Sequence, residues 1–167
     1  MKQKIFAVVA TSENRAIGHK GWLPWPEMKC DYERLMTLAY HKPAVMGRLS
    51  YESPNQFLSN NQNLIITSHK IDDLPDNCTT VSSIEEALKY YENEPEICIL
   101  GGQRVFESFM PYLTHIYLTL IHTVAKADTY FPEISNKDWQ LINQESFYAG
   151  EGNPLDYEFL EYQKVKE

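Results

Sequence analysis

The sequence predicts an α/β fold: one domain with a central mixed, mostly parallel sheet, helices on both faces, and an antiparallel hairpin at its C-terminal end. Two observations carry this. Through most of the chain, short apolar runs alternate with amphipathic segments, the pattern of parallel strands joined by helical crossovers. In the last third, two strand-like segments flank Gly150-Glu151-Gly152-Asn153-Pro154, a hairpin signal. A length of 167 residues, with 43% hydrophobic and 23% charged, suits a single domain spanning 1–167 with a sizeable core.

Each element has a local reason. Ile5-Phe6-Ala7-Val8-Val9-Ala10 is a continuous apolar run and reads as a central strand buried on both faces. Residues 12–26 read as a loop. From 27 to about 40, Met28, Tyr32, Leu35, Met36 and Ala39 mark a helical stripe. Pro43-Ala44-Val45-Met46-Gly47 is a second buried strand, with a short helix over 48–53. Asn63-Leu64-Ile65-Ile66-Thr67 is a third strand and Thr79-Thr80-Val81 a fourth. Ser83 caps the next helix, with Glu86 as its capping-box partner. Ile97-Cys98-Ile99-Leu100 runs into Gly101-Gly102 and a helix packed through Val105, Phe106, Phe109 and Met110. Residues 116–124 form a long strand, and 139–148 and 155–163 are the hairpin arms.

Composition excludes several classes. A formal net charge of -8 argues against a nucleic-acid surface, where a basic patch is expected. No signal peptide or membrane-length apolar run appears. Cys30, Cys78 and Cys98 form no CxxC pair, and no two histidines have metal-ligand spacing on one element. We expect no metal, no disulfide and a reducing cytoplasm.

The chemistry-bearing residues concentrate early. Ile17-Gly18-His19-Lys20-Gly21-Trp22-Leu23-Pro24-Trp25-Pro26 is a glycine-punctuated loop with an apolar, stiff tip, and it leads to Asp31. At about 100° per residue Asp31 lies beside Leu35 and Met28, on or next to the apolar stripe. Two readings stand: an acid favoured by the helix dipole in a first turn, or a carboxylate kept for a ligand that brings its own N–H donors. Thr119 alone reads as a β-branched strand residue. Gly101-Gly102 before Gln103 and Arg104 places backbone amides where phosphate binds, or is a tight connection only. Gly47-Arg48 and Thr67-Ser68-His69-Lys70 end two neighbouring strands with hydroxyls and cations, a pocket for one more phosphate or a solvated loop. Cys30 reads as packing rather than as a nucleophile.

These pieces, in this order, resemble dihydrofolate reductase over essentially the whole chain. The resemblance rests on Ala16-Ile17-Gly18, Leu23-Pro24-Trp25-Pro26, Asp31, Val45-Met46-Gly47-Arg48, Tyr51-Glu52-Ser53, Leu100-Gly101-Gly102-Gln103-Arg104-Val105-Phe106-Glu107, Tyr117-Leu118-Thr119 and Asp128-Thr129-Tyr130-Phe131-Pro132. It implies an eight-stranded sheet, with an adenosine-binding subregion over roughly 42–95. It also implies hydride transfer from NADPH to the pterin C6 of dihydrofolate, with protonation at N5. By the resemblance, Asp31 accepts hydrogen bonds from the ring N3 and 2-amino group, supported by Thr119. Trp25 helps hold an ordered water, and Leu23 closes the mobile loop over the nicotinamide. Val8, Val9, Tyr32, Leu35, Ser53, Leu58 and Leu100 would contact the substrate. Ala10, Ile17 and Gly18 would lie by the nicotinamide. Gly101, Gly102, Gln103, Arg104, Val105 and Phe106 would sit toward the pyrophosphate. Gly47, Arg48, Leu49, Ser50, Thr67, Ser68 and His69 would surround the adenosine phosphates, with Arg48 favouring NADPH over NADH. The implied partners are dihydrofolate and antifolate inhibitors, for a monomer that binds neither nucleic acid nor membrane.

Three positions depart from the family pattern. Asn61 stands where an arginine usually clamps the folate α-carboxylate. Phe106 replaces a tyrosine, and Leu35 an aromatic residue. The Asn61 change keeps a rival in view, a related reductase of a tail-less dihydropterin or of a riboflavin-pathway pyrimidine. A second rival is a non-catalytic nucleotide-binding module.

Overall fold

The computed structural model describes residues 2–166. Eight strands form one sheet in the order β5-β4-β3-β6-β1-β7-β10-β9. β1 (Lys4–Ser12) lies inside it, parallel to both β6 (Glu96–Ile99) and β7 (His115–Ile121). This is why its sequence is apolar on both faces. β3 (Ala44–Gly47), β4 (Asn63–Ile66) and β5 (Cys78–Val81) continue the parallel part. β10 (Tyr157–Lys164) pairs antiparallel with both β7 and the edge strand β9 (Trp139–Phe147). The expected α/β architecture, mostly parallel with a C-terminal hairpin, is what the chain adopts.

The two-residue period of β1 sorts its side chains. Ile5, Ala7 and Val9 face one way, into a core completed by Ala87 of α3 (Ile84–Tyr90) and by Val105, Phe106 and Phe109 of α4 (Gln103–Phe109). Phe6 and Val8 face the other way, against Leu35, Leu38 and Ala39 of α1 (Lys29–Ala39). Helices therefore cover both faces, and the C-terminal ends of β1, β3 and β6 stay open between them. In an open α/β sheet that is where ligands bind.

Local differences from expectation have physical causes. The 12–26 loop contains β2 (Ala16–Gly18), paired with β8 (Thr129–Tyr130) more than a hundred residues later, and no short-range periodicity encodes so small a ladder. Ser83 accepts the Glu86 N–H at 3.1 Å as expected. The Glu86 carboxylate, however, reaches one residue further back, accepting both the N–H and hydroxyl of Ser82 at 2.7 Å. The 116–124 strand stops at Ile121, where the chain turns toward Asn14. The short helix α2 covers Arg48–Tyr51.

Candidate active site

A cleft of about 730 Å³ opens at those strand ends. β1 supplies Val8, Val9 and Ala10 to its floor, and β2 supplies Ile17 and Gly18. Leu23 comes from the loop, Asp31 and Leu35 from α1, and Leu49 and Ser50 from α2. Ser53 follows α2, Leu100 ends β6, and Gly102, Gln103 and Phe106 open α4. These fifteen candidates, spread from residue 8 to residue 106, thus share one cavity.

The others are placed differently. Thr119 is buried on β7, opposite Ala10 of β1. Trp25 is buried behind the floor, in a cluster that Ala10 and Leu23 pack against. Its indole Nε1 is enclosed and has no hydrogen-bond partner among the described residues. Tyr32 is 62% exposed, and Leu58 packs beside Met46, Ile65 and Cys78 instead of facing the cavity. Gly47 donates its N–H to Gly101 O at 2.7 Å, tying two strand ends together. Val105 is in the core, and Arg104 is exposed. Arg48 is paired with Glu52 at 2.8 Å. Thr67, Ser68 and His69 form a turn past β4, where Thr67 Oγ1 accepts the His69 N–H at 3.0 Å.

The cavity walls also include Gly21, Trp22, Met46, Glu52, Pro54, Asn55, Phe57, Asp128 and Thr129, to which sequence reasoning assigned no role. Glu52, Asp128 and Thr129 lie inside the quoted motifs, so a signal existed for them. Pro54, Asn55 and Phe57 follow a short helix with no periodic pattern.

Asp31 is the chemical centre. It occupies the first turn of α1 and lines the cleft together with Val8, Leu35 and Leu100. No protein group hydrogen-bonds that carboxylate among the described residues. Burial raises its pKa from 3.8 to about 6, and the positive field of Arg34 only tempers the rise. Arg34 itself is turned away, donating to Leu118 O at 2.9 Å and lying over the Phe159 ring at 4.3 Å. The adjacent Cys30 thiol is pushed up to about 11 by burial and then by Asp31, so it stays protonated and does no nucleophilic work.

The loop above the cleft is held from the far side. Lys20 (φ 51°) and Gly21 (φ 81°) make a two-residue turn closed by His19 N–H to Trp22 O at 2.8 Å. Asp128 accepts the Lys20 N–H at 2.8 Å and donates its own N–H to Gly18 O at 3.0 Å.

The structure offers a dinucleotide a suitable cradle. Gly101 adopts φ 112°, which side chains rarely tolerate, and a Cβ there would meet the Phe106 ring at 3.0 Å. A Cβ on Gly102 would make only an ordinary contact, 3.5 Å from Ser50 Oγ. Backbone can therefore meet a ligand closely at Gly102, next to the first turn of α4.

Comparisons with known proteins agree with this geometry. The family model described as dihydrofolate reductase matches residues 4–164. The dihydrofolate reductase of Staphylococcus haemolyticus is 33% identical over 163 residues, covering 98% of this chain and 97% of that protein. That of Bacillus subtilis is 33% identical over 161 residues, covering 94% and 92%. A solved structure of dihydrofolate reductase from Enterococcus faecalis, complexed with NADP(H) and RAB-propyl, superposes with a TM-score of 0.87. It is 28% identical, with 98% of this chain and 97% of that one covered. A carboxylate that no described residue hydrogen-bonds, a glycine turn in the wall of the same apolar cleft, and similarity along nearly the whole length lead to one assignment: this chain belongs to the dihydrofolate reductase family.

Proposed function

We propose that the chain reduces 7,8-dihydrofolate to 5,6,7,8-tetrahydrofolate with NADPH. One observation carries the reading: a carboxylate lines an apolar cleft with no hydrogen-bond donor among the described residues, so a ligand that brings its own N–H donors fits it. A pterin edge offers two parallel N–H groups, which one carboxylate accepts together. NADPH, when bound, supplies the hydride that forms the new C6–H bond, while N5 takes a proton.

The residues divide the remaining work. Asp31 grips and orients the ring, and in its ionised form draws positive charge toward the pterin. It meets the edge remote from N5, so a water entering the cleft delivers the N5 proton. Thr119 and the Trp25 Nε1, which has no hydrogen-bond partner among the described residues, support the ring through a bound water. Leu23, with Ala10 and Ile17, keeps bulk water from the reacting carbons. Tyr32 is free to reach a bound ligand from its exposed position on α1, whereas Leu58 supports the wall from behind Met46. The Gly102 turn with Gln103 and Ser50 receives the pyrophosphate. Arg48 and the Thr67–His69 turn lie toward the adenosine phosphates, within a subregion spanning roughly 42–95. The chain is taken to act as a monomer. The three cysteines are unpaired and buried, in keeping with a reducing, cytoplasmic setting, and among the described residues no helix is long and apolar enough to cross a membrane.

The direct test is NADPH oxidation, followed by absorbance, on adding dihydrofolate. Turnover is expected, whereas binding of NADPH without oxidation would leave only a silent nucleotide-binding module. Dihydropterin and a riboflavin-pathway pyrimidine serve as comparison substrates.

The two adjacent glycines give a paired prediction. Gly102→Ala should melt near the wild-type temperature, because its methyl meets no crowded atom, yet weaken NADPH by tenfold or more. Gly101→Ala should instead destabilise the fold by about 1–3 kcal/mol, through its positive φ and the Phe106 contact. Thermal melts and an NADPH titration separate the two; equal melting temperatures for both variants would contradict the assignment.

A further inference from the structure

Arg34 is a half-buried cation on the helix that carries Asp31, and the reduction chemistry gives it no direct task. It stands three residues after Asp31, so the two lie one turn of α1 apart. It does not line the cleft. It borders a smaller groove between α1 and the C-terminal hairpin, so it acts on the cleft only through its neighbours.

Those neighbours belong to the other half of the site. Arg34 Nη1 donates to Leu118 O at 2.9 Å, on β7 and directly before Thr119. The guanidinium carbon lies 4.3 Å from the centre of the Phe159 ring and 5.9 Å from that of Tyr117. Tyr117 and Thr119 share one face of β7, and Phe159 is the register partner of Thr119 on β10. The guanidinium therefore rests on the sheet around Thr119. It joins the helix turn that bears Asp31 to the strand that bears Thr119.

Its anchors are a carbonyl and two rings, not an acid. Glu145 of β9 and Glu161 of β10 face it from the hairpin, and the Tyr117 phenol from β7, yet among the described residues none closes into an ion pair with it. Its charge is left uncompensated one turn from the Asp31 carboxylate. The other titratable groups by that carboxylate are the Cys30 thiol and, elsewhere on the cleft wall, Glu52 and Asp128. Arg34 is the cation of the set.

We propose that Arg34 is a positioning residue for the reduction: it clamps α1 onto β7, so that Asp31 and Thr119 meet the ring edge as one rigid unit. This rests on the reading of Asp31 as the carboxylate that grips the pterin. Groups already held in place lose little freedom when the ligand arrives, so the clamp shows in substrate affinity. The uncompensated charge adds a separable effect. Burial raises the Asp31 pKa and the field of Arg34 opposes it, so removing the cation moves the titration of Asp31 to higher pH.

Folate binding to the cofactor-free, full-length protein, with an NMR titration of the Asp31 carboxyl carbon, tests both effects. Arg34→Met keeps the length of the side chain but loses clamp and charge. Its folate affinity should fall about tenfold, and its Asp31 midpoint should move to higher pH. Arg34→Lys keeps a charge without the planar fork, so its midpoint should match wild type while folate affinity falls several-fold. Phe159→Leu removes the ring beneath the guanidinium and should weaken folate to the same degree as Arg34→Lys. Should Arg34→Met fail to fold, these two variants carry the test. NADPH affinity should be unchanged in all of them, because Ser50 and the Gly102 turn stand on other elements. Equal losses for folate and NADPH would mean a general loosening of the fold and overturn the clamp. Wild-type folate affinity in Arg34→Lys and Phe159→Leu also overturns it, and an unmoved Asp31 midpoint in Arg34→Met overturns the role of the charge. If the wild-type protein binds no folate, or Asp31→Asn binds it as tightly as wild type, the pterin reading fails and the clamp with it.

Discussion

Asp31→Asn should reduce turnover at neutral pH by roughly 10²–10³-fold, the scale of losing one placed group that stabilises developing charge. The amide keeps the size and packing of the carboxylate beside Val8 and Leu35, so the cleft survives. What goes is the negative charge that accepts two ring donors and draws positive charge onto the pterin. In acid the substrate is already protonated before the hydride arrives, so part of the rate should return as pH falls. Single-turnover rates across pH measure this directly, and full activity of the variant at neutral pH would reject the role.

The same substitution should make the ligand-free protein more stable. Burial holds the folded-state pKa of Asp31 at about 6, above its ordinary 3.8. Between those values the folded form binds more protons than the unfolded form. Folding is therefore favoured at the acid side of the window, and this contribution is lost as pH rises through about 6. At neutral pH the carboxylate is ionised in the cleft and costs about 2–3 kcal/mol, an upper figure set by the size of the shift. Asparagine removes that cost, so the variant should melt several degrees higher at neutral pH and match wild type more closely near pH 4. Opposite signs for stability and turnover are expected of a group kept for its ligand.

Asp31 also shows how far sequence reaches. Its place on the apolar stripe of α1 was legible from helical spacing, but its lack of any protein donor was not. That lack depends on Arg34 turning to Leu118 and Phe159, contacts that cross more than eighty residues. The parallel strands of the main sheet were readable because each carries a short run of β-branched and apolar residues, whereas β2 and β8 carry none long enough to read. Their order was not, since nothing local in residues 96–99 says that β6 lies between β3 and β1. Glycines flagged the cradle, yet only the fold distinguishes Gly101, which needs its positive φ, from Gly102, where a Cβ would make one ordinary contact with Ser50. Phe57 and Asn55 reach the cleft from an irregular segment, where no period exists to read.

Asn61→Arg should lower the KM for dihydrofolate by roughly 10- to 100-fold, the value of a new charge-assisted bond worth about 1.5–3 kcal/mol. The charged side chains lining the cleft are Asp31, Glu52 and Asp128, all acidic, so the walls present no cation to the carboxylates of a glutamate tail. The Asn61 amide is spent locally, donating to His41 O at 3.1 Å and accepting the Gln62 N–H at 2.7 Å. Its backbone N–H is held by Ser59 Oγ at 3.0 Å, and Ser59 is fixed in turn by the buried Asn63. The anchored loop should therefore carry a longer side chain without moving. A tail contact distant from C6 and N5 stabilises ground and transition states alike, so kcat should not change. Dihydropterin, which has the ring but no glutamate, provides the control: its KM should be the same in both proteins. A gain shared by both substrates would mean that the arginine acts through the general field of the cleft, and no gain for either would place the tail away from residue 61.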